Sequence, residues 1–208
     1  MYTLYWSTGG ANMAPHAVLN EIGCPYKLVF VDSKKGEQRS AGYRAINPHA
    51  RVPTLVHGKT VMYEAAAIVL YLCERHPEAK LMPLPGDPDR AHFLQWLMHL
   101  TNTLQEELSH WWHEEAYVED RKCHAPLKAT AEKNLDRMWR FFDGVLAAPG
   151  PYLLGKRFSA ADIYLTMLTR WSRDCAMPAW RYPNVARLIE RVKARPAYAR
   201  MMEQEAIA

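Results

Sequence analysis

The chain has 208 residues, 49% of them hydrophobic, 23% charged and 11% aromatic, a composition that makes one large folded domain or two small ones and excludes a disordered adaptor. Lys and Arg number 26 against 22 Asp and Glu, and the resulting net charge of +4 is spread along the sequence rather than gathered in a basic block, which argues against nucleic acid as the main partner. Cys24, Cys73, Cys123 and Cys175 are scattered and make no C-x-x-C pair; that spacing speaks against a zinc or other metal site, thiol exchange and a disulfide framework, and for a reducing, cytoplasmic compartment. The opening Met1-Tyr2-Thr3-Leu4-Tyr5-Trp6 lacks the regions of a signal peptide, and no apolar stretch approaches the roughly 18 residues of a membrane span. The expectation is a protein that is neither exported nor associated with a membrane.

Up to about residue 76 the pattern alternates between strand and helix. Tyr2 to Trp6 is rich in β-formers, and Asn12 to Ile22 carries Met13, Ala17, Val18 and Ile22 at helical spacing before Gly23 stops it. Tyr26 to Val31 predicts a second strand, completing a β-α-β unit. A helical stretch follows from Glu37 to Ile46 and ends at Asn47-Pro48, because the residue before a proline is pushed out of helical space. Val52 to Val56 and Thr60 to Met62, joined by His57-Gly58-Lys59, predict a hairpin over 54–62, and Ala65 to Arg75 predicts the helix that closes this half. The order is β-α-β-α-β-β-α, an α/β half.

Residues 77–88 hold Pro77, Pro83, Pro85, Gly86 and Pro88 and read as a linker between a domain of residues 1–76 and a domain of residues 89–208. The second half is all-α. Phe93, Trp96, Leu97, Leu100, Leu104, Leu108 and Trp111 share one face of a long helix, and a second long helix runs from about Pro126 to Ala147. In Phe158-Ser159-Ala160-Ala161-Asp162, Ser159 and Asp162 are spaced as a capping box, with Tyr164, Met167, Leu168 and Trp171 on one face of the helix that follows. The box is folding machinery rather than a site.

Asn47-Pro48, Val52-Pro53-Thr54-Leu55, Tyr63-Glu64-Ala65-Ala66-Ala67-Ile68 with Tyr71-Leu72, and Gly155 to Asp162 occur in this order across nearly the whole chain, and together they resemble the cytosolic glutathione transferases, of a bacterial, beta-like type. The resemblance implies a thioredoxin-like domain that binds glutathione, followed by an all-α domain that forms the site for a hydrophobic second substrate. It also implies that Pro53 is cis and that the Val52 peptide unit pairs with the cysteinyl backbone of glutathione as an added strand would. By the same resemblance Glu64 holds the γ-glutamyl end. Ala65 departs from the serine common at its position, so only backbone amides remain there for the ligand carboxylate. Arg51 and Lys35 match positions that often contact the glycyl carboxylate, although exposed basic side chains are as often merely solvated.

The implied reaction needs glutathione as thiolate. A thiol titrates near 8.5, so a shift of about 2 units, or about 2.7 kcal/mol, is required, within reach of one or two charge-assisted hydrogen bonds. Aligned from Gly23, Ala11 stands where beta-class enzymes carry cysteine and Gly9 where serine-type classes carry their hydroxyl. Ser7, Asn12 and Tyr5 remain as candidate donors, then Thr8 and the backbone amides of Gly10 to Asn12. Trp111 and Trp112, with His113 and Tyr117, read as walls of an apolar pocket or as plain core, and Gln105 matches a position that is polar in some beta-class enzymes. The implied activity is conjugation of the glutathione thiolate to a small hydrophobic electrophile, as in detoxification, by a homodimer. Alternatives are a glutathione-dependent peroxidase or reductase, and a non-catalytic scaffold that retains glutathione binding.

Overall fold

The computed structural model describes residues 1–207. Residues 1–82 and 193–207 form one compact unit and residues 83–192 another. This division departs from boundaries read off the proline-rich stretch. Leu81 and Met82, inside the expected linker, are each only 3% exposed, so their burial carries the first unit past residue 76. The C-terminal segment returns to that unit because its last helix packs on the first.

The first unit is built on a sheet of order β2-β1-β3-β4, comprising β1 (Tyr2–Trp6), β2 (Tyr26–Phe30), β3 (Thr54–His57) and β4 (Thr60–Tyr63). β1 pairs parallel with β2, and β3 runs antiparallel to both β1 and β4. Leu4 and Leu55 are directly paired and fully buried. They lie in one core with Ala14, Ala17 and Val18 of α1 (Met13–Ile22) and Ile68, Val69 and Leu72 of α3 (Ala65–Arg75), two helices that pack on each other. α1 ends where Gly23 turns left-handed at φ 73° and returns its amide to the Leu19 carbonyl, a conformation that costs glycine nothing.

The helix expected over 37–46 is two pieces: a 3-10 turn at Glu37–Arg39 and α2 (Ala41–Arg44). Ser40 separates them because it is extended and uses its hydroxyl to accept from the Tyr43 amide, the N-cap geometry its short polar side chain favours.

The second unit contains α4 (Arg90–His99), α5 (Glu106–Trp112), α6 (His124–Leu146), α7 (Ala160–Trp171) and all but the last residue of α8 (Pro183–Lys193); α9 (Pro196–Gln204) belongs to the first unit. Every residue of α7 from Ala160 to Thr169 is buried, as expected of a helix wrapped by others. Ser159 and Asp162 close the predicted capping box. The Asp162 carboxylate accepts from the Ser159 amide at 2.8 Å, the Ser159 hydroxyl at 3.1 Å and, across the preceding loop, the Leu153 amide at 2.8 Å. Burial outweighs these donors and pushes the Asp162 carboxyl up to about 6.

The single long helix predicted around 93–111 is continuous in its burial, since Phe93, Leu97, Leu100, Leu104 and Leu108 are all fully buried. Its hydrogen bonding changes midway: Leu100–Gln105 is a π-helical segment between α4 and α5. Apolar spacing of three and four is compatible with either pattern, so periodicity did not reveal it.

Candidate functional site

Two polar turns meet at one end of the sheet in the first unit. The chain leaves β1 through Ser7-Thr8-Gly9-Gly10-Ala11-Asn12 before α1 begins. On the neighbouring strand it passes Arg51-Val52-Pro53 before β3 begins, with a cis bond between Val52 and Pro53. Tyr5 pairs with Thr54, and carrying that antiparallel register two residues further sets Ser7 opposite Val52. The approach is close, since a Cβ placed on Gly10 would lie 3.3 Å from both Val52 Cγ2 and the Ser7 carbonyl oxygen.

A buried polar clamp holds the Val52-Pro53 segment from both sides. Tyr43 donates its hydroxyl to the Arg51 carbonyl at 2.8 Å, and Asn47 Nδ2 donates to the same oxygen at 2.7 Å. Both also reach Thr54 Oγ1 beyond the proline, at 2.9 and 3.1 Å. Burial pushes the Tyr43 phenol above its ordinary range, which keeps it a neutral donor. Asn47 ends a helical stretch and belongs to the pieces that carry the resemblance, but the sequence does not announce that its amide spans to 51 and 54.

Glu64 lies at the same end of the sheet, one residue beyond the Thr54–Tyr63 pair. It stands at the N-cap of α3 with φ 71° and ψ 109°, and its side chain is exposed. A glutamate at positive φ is uncommon, and such strain concentrates where function requires it. Behind it Ala65 is 5% and Ala66 6% exposed, so the first turn of α3 presents backbone amides beside small side chains.

Among the expected thiol donors the structure separates three roles. Ser7 is 6% exposed, and its hydroxyl lies 2.7 Å from that of Ser33, where either can donate. When Ser33 donates, the Ser7 proton is left for another acceptor. Asn12 is fully buried, its Oδ1 accepts from the Ser7 amide at 3.1 Å, and its Nδ2 donates to Glu205 Oε1 at 2.8 Å. Both ends of its amide are engaged inside the fold, which makes it a strut behind the turn rather than a donor facing a ligand. Tyr5 is half-buried with its ring edge on Tyr43 at 5.9 Å, on the α2 side of the sheet, beside an open depression of about 500 Å³ that Val29 and Ile46 also line.

The basic candidates lie at the rim. Arg51 is exposed. Lys35, with its side chain 79% exposed, pairs with Asp32 at 3.1 Å, and this lysine holds the Asp32 carboxyl below its usual range. In the second unit, Gln105 Oε1 accepts from the Tyr164 hydroxyl at 2.6 Å. Trp111 donates its indole N–H to Glu132 on α6 at 3.1 Å and stacks under Lys128 at 5.0 Å. Trp112 donates to the Trp171 carbonyl at the end of α7 at 2.6 Å, with the Arg173 guanidinium 4.4 Å above its ring. Both tryptophans are thus anchored by partners within the helical unit. Among the described residues no His, Cys, Asp and Glu cluster has metal-ligand geometry, and no helix is long and apolar enough to cross a membrane.

Comparison with known proteins gives this arrangement its family. The glutathione S-transferase N-terminal domain model matches residues 1–74, and the C-terminal domain model matches residues 106–205. The chain belongs to the glutathione S-transferase family. Over 195 residues it is 26% identical to glutathione S-transferase GstA of Escherichia coli O157:H7, covering 93% of each sequence. A crystal structure of a glutathione transferase homolog from Sulfitobacter with bound glutathione superposes with a TM-score of 0.90 at 27% identity, over 98% of both chains. The glutathione transferase of Methylococcus capsulatus str. Bath superposes with a TM-score of 0.88 at 30% identity, over 99% of both. Within this family frame, the residues missed by sequence reasoning are Asn47 and Tyr43 in the proline clamp, Ser33 beside Ser7, and Glu205 behind Asn12. Ser33 and Glu205 act on partners 26 and 193 residues away, whereas Tyr43 and Asn47 reach only four to eleven residues ahead, across a proline.

Proposed function

We propose that this family member conjugates the glutathione thiolate to hydrophobic electrophiles. The observation that carries the proposal is Glu64, an exposed carboxylate held at positive φ at the start of α3, beside the edge that begins at Val52. In this reading Glu64 takes the γ-glutamyl ammonium and the first amides of α3 take its carboxylate. The Val52 peptide unit pairs with the cysteinyl backbone next to Pro53, and Arg51 and Lys35 face the glycyl carboxylate. The sulfur then arrives near Ser7, whose hydroxyl donates to the thiolate while Ser33 donates to Ser7. One such charge-assisted bond is worth about 1.5 to 3 kcal/mol, enough to lower a thiol by one to two units. Gln105, Trp111 and Trp112 are proposed to border the second-substrate site, and the working assembly is proposed to be a cytoplasmic homodimer.

The test is the pH–rate profile with a simple aromatic electrophile. Ser7→Ala should move the ionisation limb upward by about one unit or more with the Kd for glutathione changed little. An unmoved profile removes Ser7 from the mechanism. Engagement of Asn12 inside the fold favours one second reading, a scaffold that binds glutathione without activating it; tight binding with no turnover in the unmodified protein would establish that instead.

A further inference from the structure

A buried carboxylate from the far end of the chain lies under the turn that carries Ser7. Glu205, just beyond α9, is fully buried. Its Oε1 accepts from Asn12 Nδ2 at 2.8 Å and lies 2.8 Å from Nδ1 of His16, itself fully buried on α1. The His16 ring is held from its other side, with Nε2 3.0 Å from Gln204 Oε1 and 3.2 Å from the Tyr26 hydroxyl. Tyr26 in turn donates to Asn20 at 2.6 Å. The Oε2 of Glu205 is buried and has no hydrogen-bond partner among the described residues.

Taking a carboxylate out of water is expensive, and leaving one of its oxygens unpaired adds to the cost. Asp162 shows how this chain satisfies a buried acid that serves folding: three donors, two of them backbone amides. Glu205 is different, because its hydrogen-bonding neighbours are the side chains of Asn12 and His16 at the start of α1 and not backbone groups of its own segment. What its Oε1 does fix is the orientation of an amide. With Nδ2 of Asn12 directed at Glu205, Oδ1 of Asn12 must face the Ser7 amide, which it meets at 3.1 Å. The Ser7 carbonyl accepts from the Gly10 amide at 3.1 Å. Both backbone groups of Ser7 are then committed, and its hydroxyl is set in one place beside Ser33.

We propose that Glu205 is a positioning residue for glutathione activation, acting through Asn12 to hold the Ser7 backbone, with His16 orienting the carboxylate. The inference rests on the proposed role of Ser7. It assigns to a residue 198 positions away in sequence, as the numbers 7 and 205 give, a part in setting the acidity of the bound thiol.

The experiment titrates bound glutathione by the ultraviolet absorbance of its thiolate, which needs no knowledge of the electrophile. It is paired with hydrogen exchange at the Ser7 amide in the full-length protein without ligand. Glu205→Ala and the shorter Glu205→Asp should each raise the midpoint of thiol ionisation by about one pH unit and speed Ser7 exchange at least tenfold. Glu205→Gln, which keeps an oxygen for Asn12, should leave both close to the unmodified values. Combining Glu205→Ala with Asn12→Ala should shift the midpoint no further than Asn12→Ala alone, the signature of action through one partner. If the alanine variant does not fold, the Asp and Gln variants carry the comparison. Midpoints and Ser7 exchange that are the same in every variant overturn the proposal, as does an additive double variant. If the unmodified protein binds no glutathione, the functional reading of the site falls, and unaltered Ser7 exchange in Glu205→Asp would separately show that Glu205 does not order the turn.

Discussion

Replacing Gly10 by alanine tests the geometry of the turn with a single methyl group. The added Cβ would lie 2.6 Å from Asn12 Oδ1, closer than carbon and oxygen tolerate, and 3.3 Å from the Ser7 carbonyl oxygen and Val52 Cγ2. Asn12 cannot yield freely, because Oδ1 holds the Ser7 amide and Nδ2 holds Glu205. Relief requires either moving Oδ1, which leaves a buried N–H unpaired at a cost of about 1 to 3 kcal/mol, or shifting the backbone against Val52, an overpacking cost of about 1 to 3 kcal/mol. Either route, at about 1 to 3 kcal/mol, lowers Tm by roughly 2 to 12 °C for a chain of this size. Gly42→Ala is the matched control, since its Cβ would meet nothing within 4 Å. Thermal unfolding followed by circular dichroism reads both. A Gly10→Ala protein that melts with the unmodified chain would refute the close approach of Gly10, Asn12 and Val52.

Asp162 gives the chain a pH dependence whose sign follows from its raised value. Its carboxyl titrates near 6 in the fold against about 4 in an unfolded chain, so the contribution is fully present below about pH 4 and is lost as pH rises through about 6, by about 3 kcal/mol. Asp162→Asn should flatten that slope in denaturant melts taken between pH 4 and 7 (roughly the window of the two values); parallel slopes in the two proteins would contradict it. Sedimentation at micromolar concentration should give about twice the chain mass of 23.9 kDa, and a monomer mass would remove the proposed homodimer.

Much of the first unit was legible because its signals are local. The β-rich run Tyr2–Trp6 and the helix Ala65–Arg75 occupy the residues the pattern predicted, and Gly23 stops α1 for the reason a helix-terminal glycine implies. The stretch 37–46 divides into two pieces because the hydroxyl of Ser40 takes the Tyr43 amide, a choice that composition does not reveal. The domain boundary moved because burial of Leu81 and Met82 depends on tertiary packing. The candidate site divides along the same line. Glu64, Val52 and Pro53 stand in the stretches that carry the resemblance, and the Val52-Pro53 bond is cis as the resemblance implies. Asn12 reads as a candidate donor because it falls in the turn after β1 and its amide can donate to a thiolate. In the structure it is buried and bonded to Glu205, a contact across nearly the whole chain that no window of sequence contains.

The central claim is that glutathione lies along the edge running from Val52 to Glu64, with its γ-glutamyl end on the Glu64 carboxylate. Calorimetric titration of glutathione into the unmodified protein and into Glu64→Ala tests it most directly, with circular dichroism confirming that both are folded. The account predicts binding at least tenfold weaker in the variant, about 1.4 kcal/mol. Equal affinities in two folded proteins would place the ligand elsewhere and contradict it.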